Sequence, residues 1–330
     1  MTDPALLEID NAERVFGGGR TLFGKTLPAV HAVQGISFDV RRGETLGVVG
    51  ESGCGKSTLA RLIVGLDMPT GGAITFDGVD LVAEARRDPQ KLARRVQYVF
   101  QDPVASLNPR KIIRTILEAP LKHLLGLDRE AREKRLRELM EAVNLAPEFL
   151  ERYPHEFSGG QAQRIGIARA LAADPELIVL DEPVSALDVS VQAQVLNILD
   201  DLKKTFGLTY VFISHDLSVI ESVSDRVAVL YFGRLAELGA SERIFAAPRH
   251  PYTHLLLKSA PVPGKRSLIP EDANTELPDP YDPPPGCAFF ARCPRGTDRC
   301  KSVQPPLEAA PGHPGHMAAC HHPVKENEDA

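Results

Sequence analysis

The residues best suited to chemistry form one short, glycine-rich segment. It reads, in order, Gly50, Glu51, Ser52, Gly53, Cys54, Gly55, Lys56 and Ser57. The pattern is typical of a phosphate-binding loop, whose backbone N–H groups surround the phosphates of a nucleotide. We expect Lys56 to reach the β and γ phosphates, Ser57 to ligate magnesium and Thr58 to complete the nucleotide contacts. The sequence therefore predicts binding of ATP with Mg²⁺.

The flanking sequence has the strand, loop and helix order that such a loop requires. Residues 44–49 are mostly apolar, which predicts a buried parallel strand. Residues 56–66 place four apolar side chains at helical spacing: Leu59, Leu62, Ile63 and Leu66. A glycine-rich turn that merely precedes a helix would need no Lys56–Ser57 pair, so the order favours a nucleotide site.

A second candidate is the acidic pair Asp181 and Glu182, which follows the apolar run 177–180. Sheets of α/β proteins bind ligands at the carboxyl ends of their strands. We expect Asp181 to hold magnesium directly or through water. Glu182 is expected to orient the water that attacks the γ phosphate and to accept its proton. A simple turn or helix cap is the alternative for this pair.

A third element, the signature segment, has glycines at a predicted helix start and a hydroxyl but no lysine. It comprises Ser158, Gly159, Gly160 and Gln161, followed by a helix-like run at 162–173. Backbone N–H groups at such a helix start can bind phosphate. Because a nucleotide needs one phosphate loop, the extra segment fits ATP held by a partner subunit. A serine N-cap with flexible glycines is the alternative.

Strands and helices are predicted to alternate along most of the chain. An amphipathic helix is indicated around residues 128–143, and strand-like runs at 177–180 and 210–213 flank a helix-like segment at 189–202. The apolar face of the first helix comprises Leu136, Leu139, Met140 and Val143. The alternation predicts an α/β fold with a parallel sheet covered by helices.

Taken in order, the motifs resemble the full set of an ABC-transporter ATPase subunit. The set also includes Gln101 after residues 98–100, Asp188 at the end of residues 185–188, and His215. The resemblance implies a head-to-tail dimer in which the signature segment faces the other subunit's γ phosphate. It implies that Asp188 couples the two sites and that His215 senses the γ phosphate. Gln101 would contact magnesium or the attacking water and report nucleotide state to membrane subunits.

The same family places an aromatic side chain on adenine, upstream of the phosphate loop. Phe16 is the first choice and Phe23 the second, because the glycine-rich insertion at 17–24 blurs the register. A core phenylalanine is the alternative interpretation for either residue.

Further segments resemble the ATPase subunits of oligopeptide, dipeptide and nickel importers. They are residues 100–110, residues 250–253 and a cysteine-bearing, proline-rich tail. The resemblance runs from about residue 6 to about residue 323 and is nearer to the second of two unequal ATPase subunits. It implies an ATPase that energises peptide import, with nickel or another small solute as the alternative cargo.

The resemblance also implies an assembly. The expected partners are a second, non-identical ABC ATPase subunit, two transmembrane permeases and an extracytoplasmic solute-binding protein. The chain would then be peripheral on the cytoplasmic face of the inner membrane. No apolar run approaches the roughly 20 residues that span a bilayer, and residues 1–10 lack the features of a secretion signal.

Composition weighs against the rival functions. The net charge of −6 argues against broad attraction to nucleic acid. A soluble ABC ATPase acting on nucleic acid or ribosomes would share every nucleotide motif, but such proteins usually add a coiled coil, a second ATPase unit or basic arms, and the sequence shows none. An iron–sulfur regulatory protein with a vestigial ATPase is disfavoured because Lys56, Asp181, Glu182 and His215 are intact.

The last quarter of the chain is built differently, since 16 of the 27 prolines lie at or after Pro248. We therefore expect an ATPase domain with the phosphate loop at residues 1–247, with a helical subdomain at about 102–160. A proline-rich C-terminal region of the importer type follows at residues 248–330.

Four of the five cysteines, the cysteine cluster, lie in this C-terminal region: Cys287, Cys293, Cys300 and Cys320. Their spacing lacks the Cys-x-x-Cys pairs of common zinc ribbons, although four thiolates can bind zinc. Some members of the importer family look as though they carry a [4Fe-4S] cluster on such a tail. A [4Fe-4S] cluster, zinc and metal-free thiols all stay open, with the cluster favoured. Cys54 has no expected metal role.

Overall fold

The computed structural model describes residues 4–19, 28–259 and 277–325. Its strands are β1 Ala5–Gly17, β2 Ala29–Arg41, β3 Thr45–Val49, β4 Gly71–Phe76, β5 Val79–Asp80, β6 Val96–Val99, β7 Leu177–Asp181, β8 Thr209–Ile213, β9 Arg226–Tyr231, β10 Arg234–Ala240, β11 Glu308–Ala310 and β12 His313–Ala318. Its α-helices are α1 Lys56–Ile63, α2 Leu81–Arg87, α3 Pro89–Arg95, α4 Ile113–His123, α5 Arg129–Ala142, α6 Gly159–Leu171, α7 Val189–Phe206, α8 Leu217–Val223, α9 Ser241–Ala246, α10 Pro251–Ser259 and α11 Asp298–Ser302.

The main sheet has the strand order β11-β12-β10-β9-β3-β8-β7-β6. Strands β9, β3, β8, β7 and β6 are parallel to their neighbours in this series. Strands β3, β7 and β8 are buried at every residue, which is why their sequences are nearly continuous apolar runs. This arrangement confirms the predicted α/β fold.

A second sheet of four antiparallel strands, in the order β2-β1-β4-β5, lies against the main sheet. Its inward side chains, such as Leu7 and Ile36, share a core with Leu59 of α1 and Val48 of β3. Sequence reasoning did not anticipate this antiparallel layer. It matters for the site because it packs on the helix that follows the phosphate loop.

The segment between β6 and α6 is helical, as expected. Asp128 begins α5 by accepting a hydrogen bond from the Ala131 amide at 2.9 Å. The predicted apolar face is buried, and it packs with α4, α6 and α7 in the second core of the molecule: Leu136, Leu139, Met140 and Val143. The charged opposite face is thereby left on the surface.

Helix boundaries follow local chemistry more closely than apolar spacing does. Helix α1 ends at Ile63, three residues before the predicted end, and Gly65 follows with a φ of 71°. Helix α7 begins after Asp188, which caps it, and ends at Gly207 in the left-handed conformation. Within the three described ranges, no helix combines the length and the apolar character needed to cross a membrane.

The C-terminal region joins the main sheet. Strand β12 pairs with β10 through Glu237 opposite Ala318 and Leu238 opposite Met317. Glu237 is fully buried, where it accepts hydrogen bonds from the His250 amide at 2.9 Å and contacts His316 Nε2 at 2.6 Å. A buried carboxylate with several donors ties β10, the start of α10 and β12 together.

Candidate active site

Three strands deliver the predicted site residues to one edge of the main sheet. The register places Val48 of β3 and Asp181 of β7 on either side of Ile213 of β8. Hydrogen bonds continue past the strand ends, with the Glu182 amide donating to the Ile213 carbonyl at 2.9 Å. The phosphate loop, the acidic pair and His215 therefore meet where α/β sheets bind their ligands.

A cavity of about 410 Å³ lies at this edge, within the part of the chain that the structure describes. It contains much of the predicted nucleotide set together with residues that were not predicted. Its lining is Val30, His31, Ala32, Ser52, Gly53, Gly55, Lys56, Ser57, Thr58, Gln101, Glu182, Phe232, Gly233 and Pro280.

The glycines of the loop are required by close backbone contacts. A Cβ on Gly50 would overlap the Leu230 carbonyl oxygen, and a Cβ on Gly55 would overlap that of Ala32. Gly55 also has a φ of 103°, which places it in the left-handed region before α1. The loop is consequently pressed against the ends of β2 and β9, with its N–H groups at a helix start suited to phosphate.

Lys56 lies within the curve of the loop and is 6% exposed. Its Nζ donates to the carbonyls of Gly50 at 2.7 Å and Glu51 at 3.0 Å. A buried ammonium, backbone amides and the hydroxyls of Ser57 and Thr58 in one cavity form a donor set that fits a triphosphate with its magnesium.

Glu182 contacts two other predicted catalytic side chains, those of Gln101 and His215. Its Oε2 accepts a hydrogen bond from Gln101 Nε2 at 2.9 Å, and its Oε1 lies 3.1 Å from His215 Nδ1. The Glu182 backbone has a φ of 47°, a conformation that non-glycine residues adopt at a cost. The strand end is therefore bent so that the carboxylate reaches the cavity beside Gln101.

Asp181, the other acid of the pair, is 5% exposed and accepts a hydrogen bond from Tyr98 Oη at 2.6 Å. Burial and this bond to the carboxylate raise the pKa of Tyr98 above its ordinary value, so the phenol stays protonated and keeps donating. Tyr98 was missed as a site residue. The only sequence signal was its place three residues before Gln101.

The signature segment begins α6. Ser158 Oγ accepts from the Gln161 amide at 3.4 Å, and Gln161 Oε1 accepts from the Ser158 amide at 3.1 Å, which forms a capping box. Among the residues that line the 410 Å³ cavity, the described chain contributes none from 158–161. A second cavity of about 460 Å³ has Gly159 in its wall, together with Gln101 and Glu182.

Asp188 caps α7 by accepting from the Val191 amide at 3.0 Å and from Ser190 Oγ at 2.7 Å. These bonds, that of Ser190 foremost, lower the pKa of Asp188 below its ordinary value. Its role in coupling two sites stays a prediction.

The predicted adenine contact does not lie in the cavity wall. Phe16 pairs with Val30 across β1 and β2, and the Arg14 guanidinium lies 4.5 Å from the centre of its ring. Among the described residues, His31 from β2 and Phe232 contribute aromatic rings to the wall. Phe23 lies outside the described residues, and the stacking role of Phe16 stays a prediction.

The C-terminal region reaches this site through side chains that sequence reasoning missed. Tyr252 Oη accepts a hydrogen bond from the Glu51 amide at 2.9 Å. Arg292 donates to both carboxylate oxygens of Glu51, at 2.7 and 2.9 Å, and this bond raises the pKa of Arg292 above its ordinary value. Tyr252 lies in the segment 250–253 that carried the importer resemblance, but no site role was expected for it, and no local pattern marks Arg292.

The four clustered cysteines lie in the wall of one small cavity. The Cys287 amide donates to the Cys300 carbonyl at 2.7 Å, which joins the two segments that carry them. Burial raises the pKa of Cys287 and Cys293 and brings that of Cys320 to about 11. Over the described ranges, no group of three or more His, Cys, Asp or Glu side chains is arranged to hold a metal ion.

A phosphate loop, a strand-end Asp–Glu pair and a Gln–Glu–His contact on an α/β sheet define an ATPase of the ABC class. Similarity to known families agrees with this. The ABC transporter family matches residues 33–185, and the oligopeptide/dipeptide transporter C-terminal region matches residues 236–300.

Individual relatives are similar over most of their length. The oligopeptide transport ATP-binding protein AppF of Bacillus subtilis is 49% identical over 321 residues, which cover 96% of this chain and 97% of AppF. The dipeptide transport ATP-binding protein DppF of Escherichia coli is 51% identical over 300 residues, which cover 88% of this chain and 86% of DppF. The chain belongs to the ATP-binding subunits of oligopeptide and dipeptide ABC transporters, and it is an ATPase that uses ATP and Mg²⁺.

Solved structures agree with the fold. The ATP-binding cassette MJ0796, solved as a dimer in a post-hydrolysis state with ADP and Pi, superposes with a TM-score of 0.62 at 28% identity. The match covers 71% of this chain and 98% of that one.

Proposed function

We propose that this chain hydrolyses ATP to energise import of di- or oligopeptides across the cytoplasmic membrane. The observation that carries the proposal is the contact of Glu182 with both Gln101 and His215 beside the phosphate loop. It is supported by the transport functions that AppF and DppF are named for.

The residues divide the work of phosphoryl transfer. Ser57, Gln101 and Asp181 would hold magnesium, which would neutralise charge on the phosphates. Lys56 binds the β and γ phosphates once its ammonium leaves the loop carbonyls. Glu182 orients the attacking water and takes its proton.

His215 and Gln101 hold the Glu182 carboxylate from two sides. Two fixed partners keep the base in one position, so little reorganisation is needed when the water is activated. His215 then senses the γ phosphate, and Gln101 reports nucleotide state to the membrane subunits.

We propose that the working unit is a head-to-tail dimer of two ATPase subunits, the partner being a non-identical homologue. The signature segment of each would contact the γ phosphate held by the other, with Asp188 coupling the two sites. Support comes from the separation of residues 158–161 from the wall of the nucleotide cavity and from the dimer formed by MJ0796.

Family membership supports a proposal for the remaining assembly. Two permeases would anchor the chain at the cytoplasmic face of the membrane, and an extracytoplasmic solute-binding protein would deliver the peptide. We propose a division into an ATPase domain at 1–247, with its helical subdomain at about 102–160, and a C-terminal region at 248–330.

We also propose that Cys287, Cys293, Cys300 and Cys320 hold a [4Fe-4S] cluster, with zinc as the alternative. The support is that all four cysteines line one small cavity and that four thiolates are a donor set for either group; binding requires the thiols to draw closer together than they stand in the described chain. Anaerobic purification followed by absorption spectroscopy and iron and zinc analysis tests this. Colourless, metal-free and fully active protein would contradict it.

The transport proposal is tested with the complete complex in vesicles, supplied with its binding protein and ATP. Uptake of defined di- and oligopeptides that depends on Glu182 supports peptide import. Uptake of nickel without peptides would replace it with the metal-importer alternative.

A further inference from the structure

The phosphate loop is held from outside the cassette at one residue, Glu51. Its backbone amide donates a hydrogen bond to Tyr252 Oη at 2.9 Å. Its carboxylate accepts hydrogen bonds from both terminal nitrogens of Arg292, at 2.7 and 2.9 Å. Both partners come from the C-terminal third of the chain, about 200 and 240 residues away in sequence. Backbone and side chain of one loop residue are thus fixed by the same distant region.

Arg292 is itself rigidly placed. Its side chain is 10% exposed, and the guanidinium lies 5.7 Å from the ring centre of Phe289 and 5.9 Å from that of Tyr231. Tyr252 and Phe289 are each at most 1% exposed and pack on Tyr231 in one aromatic group. The aromatic rings restrict the orientation of the guanidinium, and a fixed orientation favours a bidentate hydrogen bond to a carboxylate.

The contact bears on ATP through the loop's geometry. Glu51 lies directly after Gly50, and its carbonyl accepts from Lys56 Nζ at 3.0 Å. A shift of Glu51 therefore moves both the loop and the ammonium that must meet the phosphates.

A separate contact shows the C-terminal region in the cavity wall. Pro280 lines the nucleotide cavity, and its carbonyl accepts from the His31 amide at 3.3 Å. The same region thus touches two sides of the site.

We propose that Arg292 is a positioning residue for ATP binding, which acts through Glu51 and makes the C-terminal region part of the nucleotide site. The inference rests on ATP binding alone and is independent of the transported solute. Because Arg292 directly precedes Cys293, it also gives the cysteine cluster a structural path to the phosphate loop.

Arg292→Gln should raise the KM for ATP of the assembled transporter roughly ten-fold, the size expected for loss of a bidentate charged bond. The kcat at saturating ATP should change by less than about two-fold, since the Glu182 contacts stay in place. Arg292→Lys keeps the positive charge but cannot make the bidentate contact, so it should recover part of the affinity for ATP.

Two further variants separate positioning from folding. Glu51→Gln should raise KM to a similar extent, and the double variant should be no worse than either single one because both remove the same bond. Arg299→Gln changes an exposed arginine in the same region and should leave KM unaltered.

The results that overturn the proposal are distinct. An Arg292→Gln transporter with unchanged KM, or additive effects of the two substitutions, contradicts it. If kcat falls with the amount of folded protein while KM stays constant, Arg292 has only a structural role. Failure of peptide uptake with normal ATP kinetics would count against the transport proposal instead.

Discussion

The two halves of the nucleotide site are built in different ways. The contact of Glu182 with Gln101 and His215 lies on loops that follow strands β7, β6 and β8, so neighbouring strands bring the three together. The support of Glu51 by Tyr252 and Arg292 instead comes from side chains of a region joined to the sheet through β12. The residues expected to act in hydrolysis are thus positioned by the strands next to them in sequence. The phosphate loop is instead supported by residues about 200 to 240 positions away.

The largest effect on ATP hydrolysis is expected from a change at Glu182. Glu182→Gln removes the base but keeps the hydrogen bond from Gln101, so ATP should still bind while turnover falls by about 10³-fold. Steady-state hydrolysis and nucleotide binding by the assembled transporter measure both. Near-normal hydrolysis would remove Glu182 from its assigned role.

Buried His250 in the C-terminal region should make the free energy of unfolding depend on pH. Burial lowers the pKa of His250 to about 4, so the folded protein resists the proton that the unfolded chain accepts below about 6.5. The stabilisation that neutral His250 contributes is therefore fully present above about pH 6.5, and it declines as the pH falls toward 4. Between about pH 7 and about pH 5 the loss should be roughly 2 kcal/mol.

Urea unfolding of the full chain at both pH values measures this difference. His250→Asn offers an acceptor to the Tyr252 amide in place of Nδ1, which accepts it at 3.0 Å, but it cannot take up the proton. The variant should lose less stability on acidification, and an equal loss would mean that other groups cause it.

Lys56→Ala tests whether the loop depends on its own ammonium more than on the distant support. Removal of a buried charge that meets the phosphates should weaken MgATP binding by about 10²-fold, more than Arg292→Gln does. Titration of the full chain with MgATP decides the order. A larger loss of MgATP affinity in Arg292→Gln than in Lys56→Ala would show that the loop depends more on Arg292 than on its own ammonium.

The smallest effect is expected at Tyr98, which contacts the chemistry only through Asp181. Tyr98→Phe removes one donor from the carboxylate and should lower hydrolysis by roughly three- to ten-fold at limiting Mg²⁺. Excess Mg²⁺ should restore part of the activity. An effect that ignores Mg²⁺ concentration would argue for packing rather than for a role in holding the metal.

The sequence predicted the local half well because each motif is contiguous and its strand or helix is adjacent. Residues 50–57, Asp181 with Glu182 and the signature segment all lie where the spacing indicated. Ser158 caps α6, as the alternative interpretation of the signature segment expected, and its contact with a partner's phosphate stays a prediction.

The missed parts depend on tertiary packing. The antiparallel sheet, the pairing of β12 with β10 and the bond from Arg292 to Glu51 join segments far apart in sequence. Arg292 stands in an ordinary proline-rich tail, and no periodicity marks it. The packing of Tyr252 and Phe289, together with the bonds from Tyr252 and Arg292 to Glu51, shows that the tail and the phosphate loop share a boundary.

A structure of the Glu182→Gln transporter with bound MgATP tests the central claim most directly. We predict that Arg292 keeps its bidentate contact with Glu51 at about 3 Å while the phosphates occupy the loop. The partner subunit's signature segment should close the other side of the nucleotide. A nucleotide-bound loop in which Glu51 has separated from Arg292 would show that the C-terminal region does not belong to the ATP site.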